Sequence, residues 1–246
     1  MNKPTAIIPA RTESKRLPDK PLLLIDGKPM ILYVVENCIE SDAFDEVYVC
    51  TDSTRIEQLI LDKGYKVIKT GRAHTGTDRV AQAAEILETD LIVNVQGDEP
   101  LLPKEIMQKI SKKLMNSNLN EPIIWNAHTL CSYNESQDPN IVKVVTKYDQ
   151  TALYFSRLPI NNTQLDYKLR SHKQMGIYGY SRKTLEKFSS LGKSILEDID
   201  KVELMRWIDY GYPINMIYSD ITSYSVDTIE DLNFVEKMIN SRKILK

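Results

Sequence analysis

Arg11, Lys15, Arg16 and Lys20 place four cations within ten residues, just after the short apolar run 6–9 and Ala10, and before Pro21 and Leu22. A loop leaving the carboxyl end of a buried strand is where ligands bind in open α/β sheets. An arginine fork holds two phosphate oxygens and a lysine adds a compact charge. The set therefore suits a polyphosphate whose leaving pyrophosphate gains negative charge during reaction. By composition alone, the same stretch also reads as a solvated basic loop. Asp98 follows the apolar run 91–95 across Gln96 and Gly97, so its carboxylate is expected at the same edge of the sheet. A hard cation such as magnesium takes one or two carboxylates together with phosphate oxygens and water. Asp227, ahead of the last helical segment, could supply a second carboxylate or could cap that helix. Thr75, Gly76 and Thr77 read as a turn and helix start, in which a glycine permits close backbone approach and the hydroxyls can hydrogen-bond.

These residues need elements to hold them. Strand-like and helix-like segments alternate through the first half: strands at 6–9, 47–51, 65–70 and 90–95, helices at 28–39, 54–63, 77–87 and 103–115. That order predicts a parallel sheet with covering helices. The nearly unbroken apolar run 90–95 is the signature of a central strand buried on both faces. The second half continues with strands at 123–130, 141–146, 177–180 and 214–218, a helix over 197–210, a terminal helix over 228–239 and a polar, turn-rich stretch at 158–167. No repeat, low-complexity tract or linker divides the chain, so the expectation is one domain over 1–246, with the second half supplying acceptor-binding or dimerisation elements.

Composition narrows the function classes. The chain has 246 residues, 42% of them hydrophobic, which is enough for one sizeable core. A net charge of −2 with both signs interspersed gives no basis for attraction to nucleic acid or an anionic membrane. No window approaches a membrane span, and the apolar N-terminal stretch is too short for a signal-peptide core. Cys38, Cys50 and Cys131 are odd in number and widely spaced, the pattern of reduced, buried thiols in the cytoplasm. His74, His128 and His172 show neither metal-ligand spacing nor a nucleophile partner, so structural or surface roles are expected. Tyr178 and Tyr180 alternate as a sheet-face pair.

The loop Pro9-Ala10-Arg11 through Arg16-Leu17-Pro18 to Lys20-Pro21-Leu22 resembles the signature of CMP-sugar synthetases, especially the 3-deoxy-manno-octulosonate (Kdo) cytidylyltransferases. The resemblance continues in order along nearly the whole chain: 26–30, 76–79, 94–100, 142–145, 152–157, 176–180 and 226–231. It implies a Rossmann-like, mixed but mostly parallel sheet flanked by helices, of the nucleotidyltransferase type. It implies transfer of CMP from CTP to the anomeric hydroxyl of Kdo or a related keto-sugar, with release of pyrophosphate, in the synthesis of a surface polysaccharide such as lipopolysaccharide. It also implies Mg2+ on Asp98 and Asp227, and a homodimer with its interface near the strands of 123–155. Arg11, Arg16 and Lys20 would hold the triphosphate and join the two aspartates as the catalytic set. Ala10, Thr75, Gly76 and Gln96 would contact the nucleotide, and Arg79, Arg157, Gln174, Tyr178, Glu203 and Leu204 would line the acceptor side.

Three acceptor positions depart from the family pattern. Asn162 stands where an arginine is expected, Gln174 where a histidine is, and Leu204 where a glutamine is, while His172 lies close by. A less polar, less positive pocket would weaken binding of ordinary Kdo and favour another acceptor, such as a neutral ketose. A metal-dependent glycosyltransferase with a similar sheet is the alternative from another class, although it leaves the cation-rich first loop without a purpose.

Overall fold

The computed structural model describes residues 2–14, 16–87, 89–160 and 172–244, with side chains through Ser241. Its first half runs β1 (Thr5–Ala10), a single 3-10 turn at Lys20–Leu22, β2 (Leu24–Ile25), β3 (Lys28–Pro29), α1 (Met30–Glu40), β4 (Glu46–Thr51), α2 (Thr54–Asp62), β5 (Lys66–Lys69), α3 (Gly76–Ile86), β6 (Leu91–Val95) and α4 (Lys104–Met115). The second half adds β7 (Ile124–Leu130), α5 (Tyr133–Gln137), β8 (Lys143–Thr146), β9 (Ala152–Ser156), β10 (His172–Ser181), α6 (Arg182–Ser190), α7 (Ile195–Asp200), α8 (Leu204–Asp209), β11 (Asn215–Ser219) and α9 (Ile229–Ile244).

One nine-stranded sheet takes strands from both halves, in the order β11-β7-β10-β6-β1-β4-β5, with β8 beside β10 and β9 beside β8. The pairs β6–β1, β1–β4, β4–β5 and β7–β11 are parallel, whereas β10 runs antiparallel to β6, β7 and β8. The expected mixed, mostly parallel α/β sheet is therefore present. β1 is buried along its whole length, as a strand covered on both faces must be. Successive side chains point to opposite faces, so Ala6 and Ile8 join the core beneath α1 and α4, while Ile7 joins the one beneath α3, α6 and α8. Each fully buried Ile or Val of this sandwich contributes about 1.5–3 kcal/mol relative to exposure.

Three differences from the sequence expectation have physical causes. The strand expected at 177–180 extends over His172–Ser181, because β10 is stitched to β6, β7 and β8 at different points along its length. The helix expected over 197–210 is two short helices, broken where Lys201 takes a left-handed backbone with φ 54°. Val202 and Leu204 are buried beyond the break, which is why the apolar pattern reads through it. Helices α5 and α6 carry no expectation from periodicity, although Ser132 and Ser181 cap them through their hydroxyls. Asn162 lies outside the described residues. Among the described residues, no helix is long and apolar enough to cross a membrane.

The C-terminal helix closes the chain back onto its beginning. Val226, Leu232, Val235 and Ile239 form a separate apolar cluster with Ile25 and Met30, from the small β2–β3 hairpin and the start of α1. That contact returns the segment before α9 to the loop after β1.

Candidate active site

A cleft of about 1180 Å³ opens along the carboxyl ends of β1 and β6 and receives side chains from both halves of the chain. Its centre is an ion cluster. The Lys20 ammonium donates to Asp98 Oδ2 at 2.6 Å and to Asp227 Oδ1 at 3.0 Å. Arg16 donates to the same Asp227 oxygen at 2.9 Å and also to the side-chain oxygen of Asn140. Burial alone would lower the Lys20 pKa, but the two carboxylates outweigh it and hold the ammonium above its ordinary value.

Local chemistry explains why these groups meet. Lys20 opens a 3-10 turn with Pro21 behind it, which fixes its backbone next to the sheet edge. Asp98 follows β6 as expected, and its main-chain carbonyl accepts the Val226 N–H at 2.9 Å, which sets Asp227 beside it. The choice between helix cap and cleft for Asp227 is resolved by its neighbours. The Asp231 N–H donates to the Thr228 hydroxyl, and the Asp231 carboxylate accepts from the N–H groups of Asp227 and Thr228. Thr228 is thus the cap, and the carboxylate of Asp227 is released to the ion cluster.

The arrangement tests whether a divalent cation fits. Two carboxylates from distant parts of the chain converge on one cation, the ammonium of Lys20, and both remain accessible from the cleft. Among the described residues, no group of three or more His, Cys, Asp or Glu could hold a metal by itself. Two carboxylates plus substrate phosphate oxygens and water is the donor set that magnesium takes, so Asp98 and Asp227 fit it.

Thr75 caps α3 in a reciprocal capping box with Asp78, and Gly76 is the first residue of that helix. A Cβ on Gly76 would come within 3.2 Å of the Gln96 side-chain nitrogen, a tight contact that the Gln96 amide would have to ease by shifting. Gln96 donates to Asn94 and, by its backbone N–H, to the Gly176 carbonyl of β10. Ala10, Arg11, Thr75, Gly76 and Gln96 all border the cleft.

The acceptor-side residues divide. Gln174 and Tyr178 border the cleft and share a hydrogen bond of 3.3 Å from amide to phenol oxygen. Glu203 also borders it, with its carboxylate accepting from the Thr77 N–H and hydroxyl, so that it tethers α8 to the start of α3. Burial pushes the Glu203 carboxyl up, and the Thr77 hydrogen bonds pull it down less. Arg157 borders the cleft with its guanidinium donating to the carbonyls of Pro139 and Asn140. Arg79 also borders the cleft, but it is only 3% exposed and its guanidinium donates to Asp52, Thr70 and the Gly71 carbonyl, so it braces the wall. Leu204 is a correction. It is fully buried in the apolar core beneath α8 and does not border the cleft, because the first turn of α8 directs it inward.

Two features of the site are missed by motif reading. Gly97 lies against the Pro9 carbonyl, where a Cβ would sit at 2.8 Å, and Gly176 lies against the Glu99 side chain at the same distance. Glu99 itself is buried, and its carboxylate accepts the Gly176 N–H at 3.0 Å. Burial and the neighbouring Asp98 push its pKa up to about 7. The glycines stand in the quoted motifs, but spacing alone does not show which backbone each one approaches.

Comparison with known proteins agrees with this geometry. Residues 5–221 match the Cytidylyltransferase family. The chain is 36% identical to the 3-deoxy-manno-octulosonate cytidylyltransferase of Christiangramia forsetii, across 97% of this chain and 98% of that one. It is 37% identical to the 8-amino-3,8-dideoxy-manno-octulosonate cytidylyltransferase of Shewanella pealeana, across 94% and 96%. The solved structure of a CMP:2-keto-3-deoxy-manno-octonic acid synthetase complexed with CTP superposes with a TM-score of 0.89 at 35% identity, covering 98% of this chain and all of that one. A cation-rich loop facing two converging carboxylates at the carboxyl edge of a mixed sheet, together with likeness over nearly the full length, places this chain in the 3-deoxy-manno-octulosonate cytidylyltransferase family of nucleotidyltransferases.

Proposed function

We propose that the chain transfers CMP from CTP to the anomeric hydroxyl of Kdo or a closely related keto-sugar acid, releasing pyrophosphate. The observation that carries this reading is the convergence of Asp98 and Asp227 on Lys20, beside Arg16, in a cleft whose other wall comes from the second half of the chain. The acceptor hydroxyl attacks the α-phosphorus in line, opposite the pyrophosphate. Arg11, Arg16 and Lys20 hold the triphosphate and stabilise the charge that builds on the leaving group. Asp98 and Asp227 would hold Mg2+, which neutralises phosphate charge and polarises the attacking hydroxyl. Thr75, Gly76 and Gln96 form the narrow wall for a pyrimidine, and Arg157, Gln174, Tyr178 and Glu203 face the acceptor. The reaction belongs where CTP is made, in the cytoplasm.

The neutral-ketose alternative loses support at Leu204 and Gln174, and Asn162 bears on it neither way. Leu204 is in the core, Asn162 is outside the described residues, and Gln174 keeps a donor and an acceptor at the cleft. A glycosyltransferase does not account for a cation loop built around a triphosphate. Relatives at 36% and 37% identity are named for Kdo and for an 8-amino derivative of it, so the choice among octulosonates is the finer question.

CTP is expected to support pyrophosphate release about a hundredfold better than ATP or GTP when each is supplied with Mg2+ and Kdo. Equal turnover of a purine triphosphate would remove the cytidylyl assignment. The chain is also proposed to act as a homodimer, in line with the resemblance. Strand β9 exposes Leu153, while its Ala152 and Phe155 N–H groups go to the Ile214 carbonyl and the Met205 sulfur, so the surface around Leu153, and not an open strand edge, would meet a second copy. Sedimentation is expected to show a dimer at assay concentration, and a monomer throughout would refute it.

A further inference from the structure

Lys143 is the outstanding charge that the reaction scheme above does not use. It lies in β8, opposite Ser156 of β9 and Lys173 of β10, and is only 1% exposed. A buried ammonium is costly, and an apolar side chain of similar length would fill the same space without that cost. All three of its hydrogen bonds go to main-chain carbonyls: Asp138 and Ile141 at 2.8 Å and Arg157 at 2.5 Å. Each of those three residues borders the cleft.

The tether continues outward. The Arg157 guanidinium donates to the carbonyls of Pro139 and Asn140, so the two cations hold the same short loop. On that loop the Asn140 side chain accepts from Arg16, which also donates to Asp227. An unbroken chain of hydrogen bonds therefore runs from the buried ammonium to the ion cluster. Lys173, across the strand pair, is balanced by Glu135, whereas Lys143 is solvated by the loop itself.

We infer that Lys143 is a positioning residue for the transfer: its buried ammonium ties the main chain of Asp138, Ile141 and Arg157 together and so sets where Arg157 stands on the acceptor side. This rests on the proposed CMP transfer. An ammonium suits the task because it directs three donors in different directions from one point, which neither a neutral side chain nor a planar fork reproduces.

The test compares Lys143→Met with wild type, using CTP, Mg2+ and Kdo, with pyrophosphate as the kinetic readout and equilibrium titration of CTP alone as the second. The expected result is an acceptor KM raised about tenfold or more with a lower kcat, while CTP affinity stays within about twofold, as for loss of an outer-shell support. A folded variant whose acceptor KM is unchanged, or whose CTP and acceptor affinities fall together, overturns the proposal. If Lys143→Met has no cooperative thermal melt, Lys143→Arg is read by the same criteria, since it keeps the charge and changes the donor geometry. Loss of cooperative melting in both variants assigns Lys143 to folding alone and also overturns it. Wild-type protein that releases no pyrophosphate with any keto-sugar is a different failure, one of the transfer reading itself.

Discussion

Asp227→Asn and Asp98→Asn are each expected to lower turnover by a factor on the order of 10²–10³, through loss of charge stabilisation at the transferring phosphate. Asparagine keeps the shape and one oxygen but not the charge, so the change falls on whatever positive partner the carboxylate holds. In Asp227→Asn, α9 keeps its cap, because Thr228 and Asp231 provide it between themselves. Lys20 retains Asp98 at 2.6 Å, and the cluster of Val226, Leu232 and Val235 with Met30 is untouched. The melting temperature should therefore move little while activity collapses and the Mg2+ concentration for half-maximal rate rises. Assays of pyrophosphate release across a Mg2+ titration, paired with thermal melts, check this. Either variant working at the wild-type rate with unchanged Mg2+ dependence would strike that residue from the metal-binding pair.

The second large effect is expected from Gly97→Ala, a single methyl group. Its Cβ would lie 2.8 Å from the Pro9 carbonyl oxygen and 3.3 Å from the Ile31 side chain. The first of these is backbone of β1, paired at Pro9 with Cys50 of β4, so it cannot retreat as a side-chain tip could. The strain must move either the β1 loop that carries Arg11 and Lys20 or the turn that carries Asp98. A displacement of about 1 Å between reacting groups costs roughly a hundredfold in rate. Overpacking of this kind destabilises by about 1–3 kcal/mol. Gly71→Ala is the matched control, since its Cβ meets only the Gln82 side chain at 3.6 Å, an ordinary contact. Loss of activity and stability in Gly97→Ala, with neither in Gly71→Ala, is the expected outcome. If Gly97→Ala melts and turns over as wild type does, the carbonyl at Pro9 is less confined than this geometry requires.

Much of the nucleotide half is legible in the order of residues, because there the chemistry is local. The cation loop is contiguous, it leaves a strand whose apolar run marks it as central, and Asp98 follows a second such strand across two residues. Strand and helix periods are short-range properties, so the alternation in 5–115 needs no tertiary information. The same holds for the turn at Thr75 and Gly76, where cap and glycine stand side by side.

What the fold alone decided depends on contacts between distant residues. Asp227 reads in sequence as a cap or a cleft carboxylate; the Thr228–Asp231 pair takes the cap, and the bond from Val226 to the Asp98 carbonyl sets Asp227 beside Asp98. Leu204 aligns with an acceptor position, yet the break at Lys201 sets the phase of α8 so that it faces the core. Arg79 borders the cleft, and only the fold shows that Asp52 and Thr70 engage its guanidinium there. Lys143 sits in an apolar run that marks a strand, and nothing in that run shows that three carbonyls from two other segments converge on its ammonium. Residue type and spacing determine what a group can do. Its partners determine what it does, and these partners are set by packing between segments far apart in the chain.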